Sequence, residues 1–332
     1  MNDDAAEFPV AFKVALALQV IGHGRSVEAV AAEHAVPPDL VARWQEAARL
    51  ALAEGLRDGH AAEPMAWTPD LVARFWNNLA RTDLLDLSFS RLAGNYLFQV
   101  IWPFLDASAR HLDFGSGDGH LALLLTAKGY PTAVYEPSSE RMATLNRAIA
   151  GVEGFLGVVG PGVEPFDAVL MIEVIEHIID AEMPAAMAQV DALLKPDGLL
   201  IVTTPNAEPL QYGMCCDPVS GRVFHRWQHV RSFTKASLIA HFDSLGFEPV
   251  VVHTIEFSDR IFSAHGAGLN TDETLGQVFS APRPVHLGDG NGLVYVGRRK
   301  GSARLGEWAD AARAQLDTPL VVKATTSLSV VG

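Results

Sequence analysis

Residues Arg110-His-Leu-Asp-Phe-Gly-Ser-Gly-Asp-Gly-His-Leu-Ala-Leu-Leu-Leu125 carry the strongest structural signal in this 332-residue chain. A short apolar strand leads through Asp113 into a loop with glycines at 115, 117 and 119, and an apolar helix follows. Glycine lets a backbone approach a ligand closely because it has no Cβ atom. The D-x-G-x-G-x-G spacing differs from the G-x-G-x-x-G of dinucleotide sites. An acid at position 113 would repel a pyrophosphate, so the loop favours a cationic ligand.

Strands and helices alternate on both sides of this loop, which predicts a doubly wound α/β sheet. Glu136 ends the second strand, where a carboxylate can accept hydrogen bonds from both hydroxyls of a ribose. The predicted strands are 110–114, 132–136, 155–159, 166–172, 199–204, 249–256 and 292–298. The predicted helices are 71–76, 92–104, 119–128, 139–150, 181–194 and 234–245.

Two further segments agree with a known family. Phe166-Asp-Ala-Val-Leu-Met-Ile-Glu-Val-Ile-Glu-His-Ile178 matches an F-D-x-V…E-V-x-E-H pattern, and Leu194-Lys-Pro-Asp-Gly-Leu-Leu-Ile-Val-Thr-Thr-Pro-Asn206 matches L-K-P-G-G-x-L-x-x-x-T-P-N. Together with the glycine loop and Glu136, they resemble the class I S-adenosylmethionine (SAM)-dependent methyltransferases, in the group that acts on small molecules and sugars. The resemblance covers residues 70–300. It implies a seven-stranded Rossmann-like sheet and SAM as the cofactor.

The resemblance also implies which residues contact SAM. Asp113 would order the loop near the cationic methionine end, the glycine backbone would pass beneath the ligand, and Glu136 would take the ribose. The implied cofactor-binding residues are Asp113, Gly115, Ser116, Gly117, Gly119, Glu136 and Met171. The family often has an acid after the third strand that bonds to the adenine amine. This chain has none before Glu164, so backbone groups around 157–160 are expected to substitute.

Methyl transfer from SAM is an in-line displacement, so the protein supplies positioning, a dry site and a base for the acceptor proton. His177 and His229 are the candidate bases because the pKa of imidazole lies near neutral pH. Glu173 is the third candidate catalytic residue. In the small-RNA 2′-O-methyltransferases the E-V-x-E-H segment binds a metal, and the corresponding set here is Glu173, Glu176, His177 and His229. The segment around His229 lacks the acids that flank the later histidine of that family, which favours catalysis without a divalent metal.

Residues 1–60 are predicted to form a separate all-α module with helices at 11–21, 26–34 and 38–53. Ser26 is a suitable N-cap, and the stretch from Ser26 to Trp44 resembles the helix-turn-helix of transposase-associated proteins. Residues 1–65 contain five basic and ten acidic side chains, so the module has a net negative charge and offers little attraction for phosphate. We therefore expect a packing or homodimerisation unit rather than a reader of DNA.

Composition narrows the remaining choices. The formal net charge of −14 argues against a nucleic-acid partner. Two adjacent cysteines give no disulfide framework, the N-terminus lacks the basic start of a signal peptide, and no apolar run reaches the ~20 residues of a membrane helix. These features predict a cytoplasmic protein with no membrane partner. The remaining segments are interpreted as a linker (61–69), a lid (207–230), an insertion (257–291) and a C-terminal extension (301–332) with a helix at 303–316.

The sequence thus predicts an enzyme that transfers a methyl group from SAM to a hydroxyl of a small molecule or glycan. Two alternatives stay open: a metal-assisted RNA 2′-O-methyltransferase, and a SAM-sensing regulator that binds DNA. These motifs determine neither the acceptor nor the oligomeric state.

Overall fold

A computed structural model describes most of the chain: residues 8–55, 63–138, 141–142, 145–146, 149, 151–257, 285–287, 290–302, 310–311, 313–314 and 321–323. Contacts within the chain divide it into two units. Met1–Met65 and Cys215–Phe224 form the first unit, and Ala66–Met214 and His225–Gly332 form the second. Within the first unit, the Met65 amide donates a hydrogen bond to the Val223 carbonyl at 2.8 Å.

The first unit contains the three expected helices, α1 (Val10–Ile21), α2 (Val27–Glu33) and α3 (Pro38–Gly55). Ser26 caps α2, because its hydroxyl accepts a hydrogen bond from the Ala29 amide at 3.2 Å. The helices enclose a small apolar core made of Leu16, Ala17, Val30, Ala31, Val36, Leu40, Val41 and Trp44.

One face of α1 remains apolar and exposed. Val10, Val14 and Leu18 are spaced by about one helical turn each and are 74%, 46% and 43% exposed. An apolar stripe of this kind is typical of a packing surface, whereas phosphate contacts require basic side chains.

The second unit is built on one large sheet. The strands of this sheet are β1 (His111–Phe114), β2 (Thr132–Tyr135), β3 (Phe155–Val158), β4 (Phe166–Ile172), β5 (Leu194–Pro205), β8 (Phe247–Ile255), β9 (Val285–Leu287), β10 (Gly292–Arg299) and β11 (Val321–Lys323). Two short strands that belong mostly to the first unit, β6 (Met214–Cys216) and β7 (Val223–His225), pair with each other. The order across the sheet is β11-β9-β8-β10-β5-β4-β1-β2-β3. Strands β1 to β5 run parallel, and β10 lies antiparallel between β5 and β8. The seven predicted strands are confirmed, and the two short strands β9 and β11 extend the sheet beyond the prediction.

Helices cover both faces of the sheet: α5 (Phe89–Ile101) and α6 (His120–Ala127) pack on one face, and α7 (Met183–Leu193) and α8 (Lys235–Ser244) pack on the other. Helix α4 (Pro69–Leu79) precedes them in the chain. The described residues within the predicted helix 139–150 are helical. Most of the predicted insertion and most of the helix expected at 303–316 lie outside the described residues. No helix in the described part of the chain is long and apolar enough to cross a membrane.

Alternation along β4 shows how the sheet separates two cores. Ala168, Leu170 and Ile172 pack into a cluster with α5 and α6, whereas Val169 and Met171 join the cluster formed with α7 and α8. Strand β1 lies between β2 and β4, so the chain leaves it at the point where the strand order reverses. Ligands of open α/β sheets bind at this kind of crevice, beyond the carboxyl ends of the strands.

Candidate active site

The loop after β1 has the tight backbone that its glycines predict. Gly119 has a φ of +78°, and a Cβ atom there would lie 1.9 Å from Leu145 Cδ1. Gly115 has a φ of +79°, and a Cβ atom there would lie 2.8 Å from Val174 Cγ2. Both positions therefore require glycine, for conformation and for space.

Backbone hydrogen bonds fix this loop to the end of β2. The amides of Gly115 and Ser116 donate to the Tyr135 carbonyl at 2.8 and 3.0 Å. The Gly117 amide donates to Glu136 Oε2 at 2.8 Å. The hydroxyl of Ser116 is buried and meets no hydrogen-bond partner among the described residues, so it remains available to a ligand.

Glu136 is a buried carboxylate held from two sides. Besides the Gly117 amide, the Ser138 amide donates to its Oε1 at 2.9 Å. Burial raises the pKa of Glu136, while the nearby Arg141 guanidinium and the two amides counteract the rise. A carboxylate oxygen can accept more than one hydrogen bond, so Glu136 can still receive ribose hydroxyls.

Asp113 lies at the loop side of β1 and is only 2% exposed. Its Oδ2 atom is buried without a hydrogen-bond partner among the described residues. Burial raises the pKa of Asp113 to about 8, and the negative charges of Asp118 and Glu136 add to the effect. A carboxyl oxygen without a hydrogen-bond partner at this position is suited to bind a cationic group of a ligand. The side chain of Met171, by contrast, is fully buried in the apolar core, and its contact with the cofactor stays a prediction.

The Glu173–His177 segment turns sharply at the end of β4. Glu173 has a φ of +53°, which is unusual for a residue with a side chain. Its amide donates to Thr203 Oγ1 at 3.0 Å, which ties the turn to β5. The His177 amide closes the turn on the Val174 carbonyl at 3.0 Å. The same Val174 side chain faces Gly115, so this turn lies directly beside the glycine loop.

Three histidines cluster beyond the ends of β4 and β5. His229 Nδ1 lies 2.5 Å from Glu208 Oε2, and His225 Nε2 lies 3.4 Å from Glu208 Oε1. The rings of His225 and His229 stack with centroids 4.3 Å apart, and the His177 ring lies 4.8 Å from that of His229. The structure thus brings together the two predicted bases and adds Glu208 as the partner of one of them.

Gln228 and Trp76 contact His177 and fix its place in the cluster. The Gln228 side chain is fully buried, and its Nε2 donates to the His177 carbonyl at 2.9 Å. The Trp76 indole donates to Gln228 Oε1 at 2.9 Å, and its ring meets His177 edge-on at 4.9 Å. These contacts fix the orientation of His177 from the side of α4.

Burial sets the charges of the cluster. It raises the pKa of Glu173 to about 7, and it raises that of Glu176 well above its ordinary value. Neither oxygen of Glu176 has hydrogen-bond geometry with a described residue, although the neighbouring Glu173 and Thr204 influence its charge. Burial also holds the pKa of His177 well below its ordinary value. Burial therefore favours the protonated form of Glu176 and the neutral form of His177.

The same side chains could also hold a cation. Ligand atoms of Glu176, His177 and His229 lie within 4.8 Å of one another, and so do those of Glu208, His225 and His229. The first group contains three of the four members of the alternative metal set. The mixture of imidazole and carboxylate suits ions such as Mn²⁺ or Zn²⁺.

Several residues of the site were not predicted from the sequence. Glu208 lies two residues after the T-P-N segment at the end of β5, and this position was the one signal in the sequence that could have pointed to it. Gln228 precedes His229 directly, yet its role depends on a contact with a residue far away in the chain. Trp76 and Arg141 belong to helical segments without a recognisable motif.

Comparisons with known proteins agree with this geometry. Residues 88–252 match the family described as Methyltransferase domain. A ubiquinone biosynthesis O-methyltransferase of Methylobacterium nodulans is 28% identical over 52% of this chain and 72% of its own length. The mitochondrial enzyme of the same description from Bos taurus is 35% identical over 28% of this chain and 26% of its own length. Among solved structures, a SAM-dependent methyltransferase of Thermotoga maritima aligns over 70% of this chain and all of its own, with 19% identity and a TM-score of 0.45.

The second unit, with its β-sheet and its glycine loop after β1, thus contains a methyltransferase domain. The protein is a SAM-dependent methyltransferase.

We predict that Asp113→Asn stabilises the protein in a pH-dependent way. The pKa of Asp113 rises from 3.8 to about 8 on folding, so ionisation opposes folding more strongly as the pH increases between these values. Asparagine stays neutral, and the gain in unfolding free energy over the wild type should grow between pH 5 and pH 8 by on the order of 4 kcal/mol, since each pH unit contributes about 1.4 kcal/mol. Urea unfolding at the two pH values measures this difference. The exposed Asp83→Asn is the control, and a pH-independent effect of Asp113→Asn would contradict the prediction.

Proposed function

We propose that this protein methylates a hydroxyl group of a small molecule or glycan, with the Glu208–His229 pair as the base. The SAM sulfonium supplies an activated methyl group, so the protein must place the acceptor oxygen in line and remove its proton. The observation that carries the proposal is the buried imidazole cluster beside the glycine loop, with a carboxylate on His229.

The residues around the glycine loop fit the cofactor. Gly115, Gly117 and Gly119 leave the backbone open, and Glu136 can receive the ribose hydroxyls at the end of β2. The unpartnered Oδ2 of Asp113 suits the cationic methionine end. We assign these residues and Ser116 to cofactor binding. The residues that recognise adenine are not assigned.

His229 is the better of the two predicted bases. Its Nδ1 faces the Glu208 carboxylate, which fixes one tautomer and stabilises the imidazolium formed when the other nitrogen takes a proton. His177 Nε2 lies 3.8 Å from Glu176 Oε1, which is beyond hydrogen-bond distance, and burial lowers the pKa of His177 well below the ordinary value. We therefore propose His177 and Glu173 as walls of the acceptor site and His229 as the group that accepts the proton.

Similarity to O-methyltransferases supports oxygen as the methylated atom. By their descriptions, the two relatives named above are O-methyltransferases of ubiquinone biosynthesis, and they are 28% and 35% identical to this chain over 52% and 28% of its length. Phenols and catechols are therefore the first acceptors to test. A phenolic proton is also within reach of an imidazole base, since the pKa of a phenol lies at about 10.

The N-terminal unit is proposed to serve protein packing, with a second copy of the chain as the expected partner. The apolar stripe of α1 and the excess of acidic side chains support this role. Both features argue against the DNA-binding regulator as an alternative.

One observation favours a second mechanism, in which a divalent cation assists the transfer. Glu176, His177 and His229 can converge on one ion, and Glu176 is fully buried. An ion would explain why a carboxylate is kept there. In that case Glu208 would orient His229 as a metal ligand rather than as a base.

His229→Ala should lower kcat by about 10²-fold or more, because the acceptor proton loses its base. Glu208→Gln should lower kcat by about tenfold, because the glutamine no longer stabilises the imidazolium. Affinity for SAM should change by less than about twofold in both variants. The measurement is methyl transfer from radiolabelled SAM to a panel of catechols, phenols and sugars, with SAM affinity followed by calorimetry.

The exposed His23→Ala and Glu153→Gln are the matched controls and should keep wild-type rates. Unchanged kcat in His229→Ala would rule out its role as the base. A wild-type protein that binds SAM but methylates no member of the panel would count against hydroxyl methylation of these classes.

Chelation separates the two mechanisms. We expect treatment with EDTA followed by dialysis to leave turnover unchanged, because the proposed base needs no ion. A loss of turnover that added Mn²⁺ or Mg²⁺ restores would contradict this expectation. It would favour a metal site at one of the two groups of converging ligand atoms.

A further inference from the structure

The Arg141 side chain lies on the glycine loop, next to the carboxylate proposed to take the ribose. Its Nη1 is 3.7 Å from Glu136 Oε2, and the two side chains are only 13% and 3% exposed. Its Nη2 lies 2.9 Å from the position that a Cβ atom would take on Gly117. A residue larger than glycine at 117 would therefore collide with the guanidinium.

A guanidinium in this place is costly to bury. The Nε of Arg141 is buried and has no hydrogen-bond partner among the described residues. An unpaired buried donor opposes folding, and replacing a buried ion pair by apolar groups is often neutral or stabilising. Stability alone is therefore a poor reason to have an arginine here, and a role in ligand binding is a better one.

Charge around Glu136 supports such a role. The carboxylates of Asp113 and Asp118 lie near enough to interact electrostatically with Glu136 or with each other. Together with burial, Asp118 raises the pKa of Glu136, and the charge of Arg141 is the largest effect that lowers it. Arg141 thus favours the ionised form of Glu136, which offers more acceptor sites to ribose hydroxyls than the protonated form does.

Trp76 contacts Arg141 on one side and the imidazole cluster on the other. The guanidinium lies over the Trp76 ring, 4.9 Å from its centroid. The edge of the same ring meets His177, and its N–H donates to Gln228. The Trp76 side chain therefore contacts both Arg141 and the imidazole cluster.

We propose that Arg141 is a positioning residue for the cofactor, acting through Glu136, and that Trp76 fixes its guanidinium and joins the cofactor cradle to the imidazole cluster. The proposal rests on the cofactor site assigned above. It concerns residues on the helix after β2 and on α4, outside the glycine loop and the E-V-x-E-H turn.

The test is SAM affinity by isothermal titration calorimetry between pH 5.5 and pH 8.5. Arg141→Gln should weaken binding about tenfold at neutral pH, and the loss should grow as the pH falls, because without the guanidinium the pKa of Glu136 rises and the carboxyl group protonates earlier. Arg141→Lys retains the charge and should keep the wild-type pH profile. Trp76→Phe retains the ring face and should stay within about twofold of the wild type, whereas Trp76→Ala should resemble Arg141→Gln.

Arg110→Gln is the matched control. Arg110 also lies over an aromatic ring, 4.8 Å from the centroid of Phe166, and 3.4 Å from the carboxylate of Glu164, but it precedes β1 at the end remote from the loop. It should leave SAM affinity unchanged. Thermal unfolding monitors whether each variant is folded, and Arg141→Lys provides the comparison if Arg141→Gln is not.

Equal SAM affinity in Arg141→Gln and the wild type would overturn the proposal. So would a loss of affinity that is the same at every pH, or a pH profile in Arg141→Lys that differs from the wild type. Failure of the wild-type protein itself to bind SAM would overturn the cofactor site on which the proposal rests. The two failures are therefore distinguishable.

Discussion

Two backbone amides bind one buried carboxylate at the centre of this structure. The amides of Gly117 and Ser138 each donate to an oxygen of Glu136, and this clasp fixes the glycine loop against the end of β2. The loop can take this path because Gly115 and Gly119 adopt positive φ values against Val174 and Leu145. In the proposed site, the position of the cofactor, and with it the distance to the acceptor, would depend on this clasp.

A second constraint is burial around the imidazole cluster. Glu173, Glu176 and His177 are held by β4 and its turn, while His225 and His229 come from the segment that leads into α8. Burial favours the neutral forms of Glu176 and His177, so Glu208 and His229 remain as the pair best suited to exchange a proton. The cluster and the glycine loop adjoin through Val174, so the proposed base would lie beside the proposed cofactor site.

Most of the fold followed from local patterns in the sequence. Strand β4 was predicted at its observed bounds because its apolar run is flanked by clear turn signals, and the glycine loop was recognised by spacing alone. The pairings Glu208–His229 and Trp76–Gln228 could not be predicted, because they join loops and helices that are distant along the chain. The short strands β9 and β11 carry too little periodic signal to stand out. Met171 was predicted from the resemblance; its side chain lies in the apolar core, and its contact with the cofactor stays a prediction.

The role of Glu136 is tested most directly by the affinity of Glu136→Gln for SAM, measured by calorimetry beside the wild type. Glutamine has nearly the same shape but only one side-chain oxygen, so the change removes the charge and sets an NH2 group against one of the two amide donors of the clasp. We expect the Kd for SAM to rise at least about tenfold, or about 1.4 kcal/mol, whereas the exposed Glu164→Gln should leave it unchanged. Wild-type affinity in Glu136→Gln would contradict the central claim that this clasped carboxylate holds the cofactor.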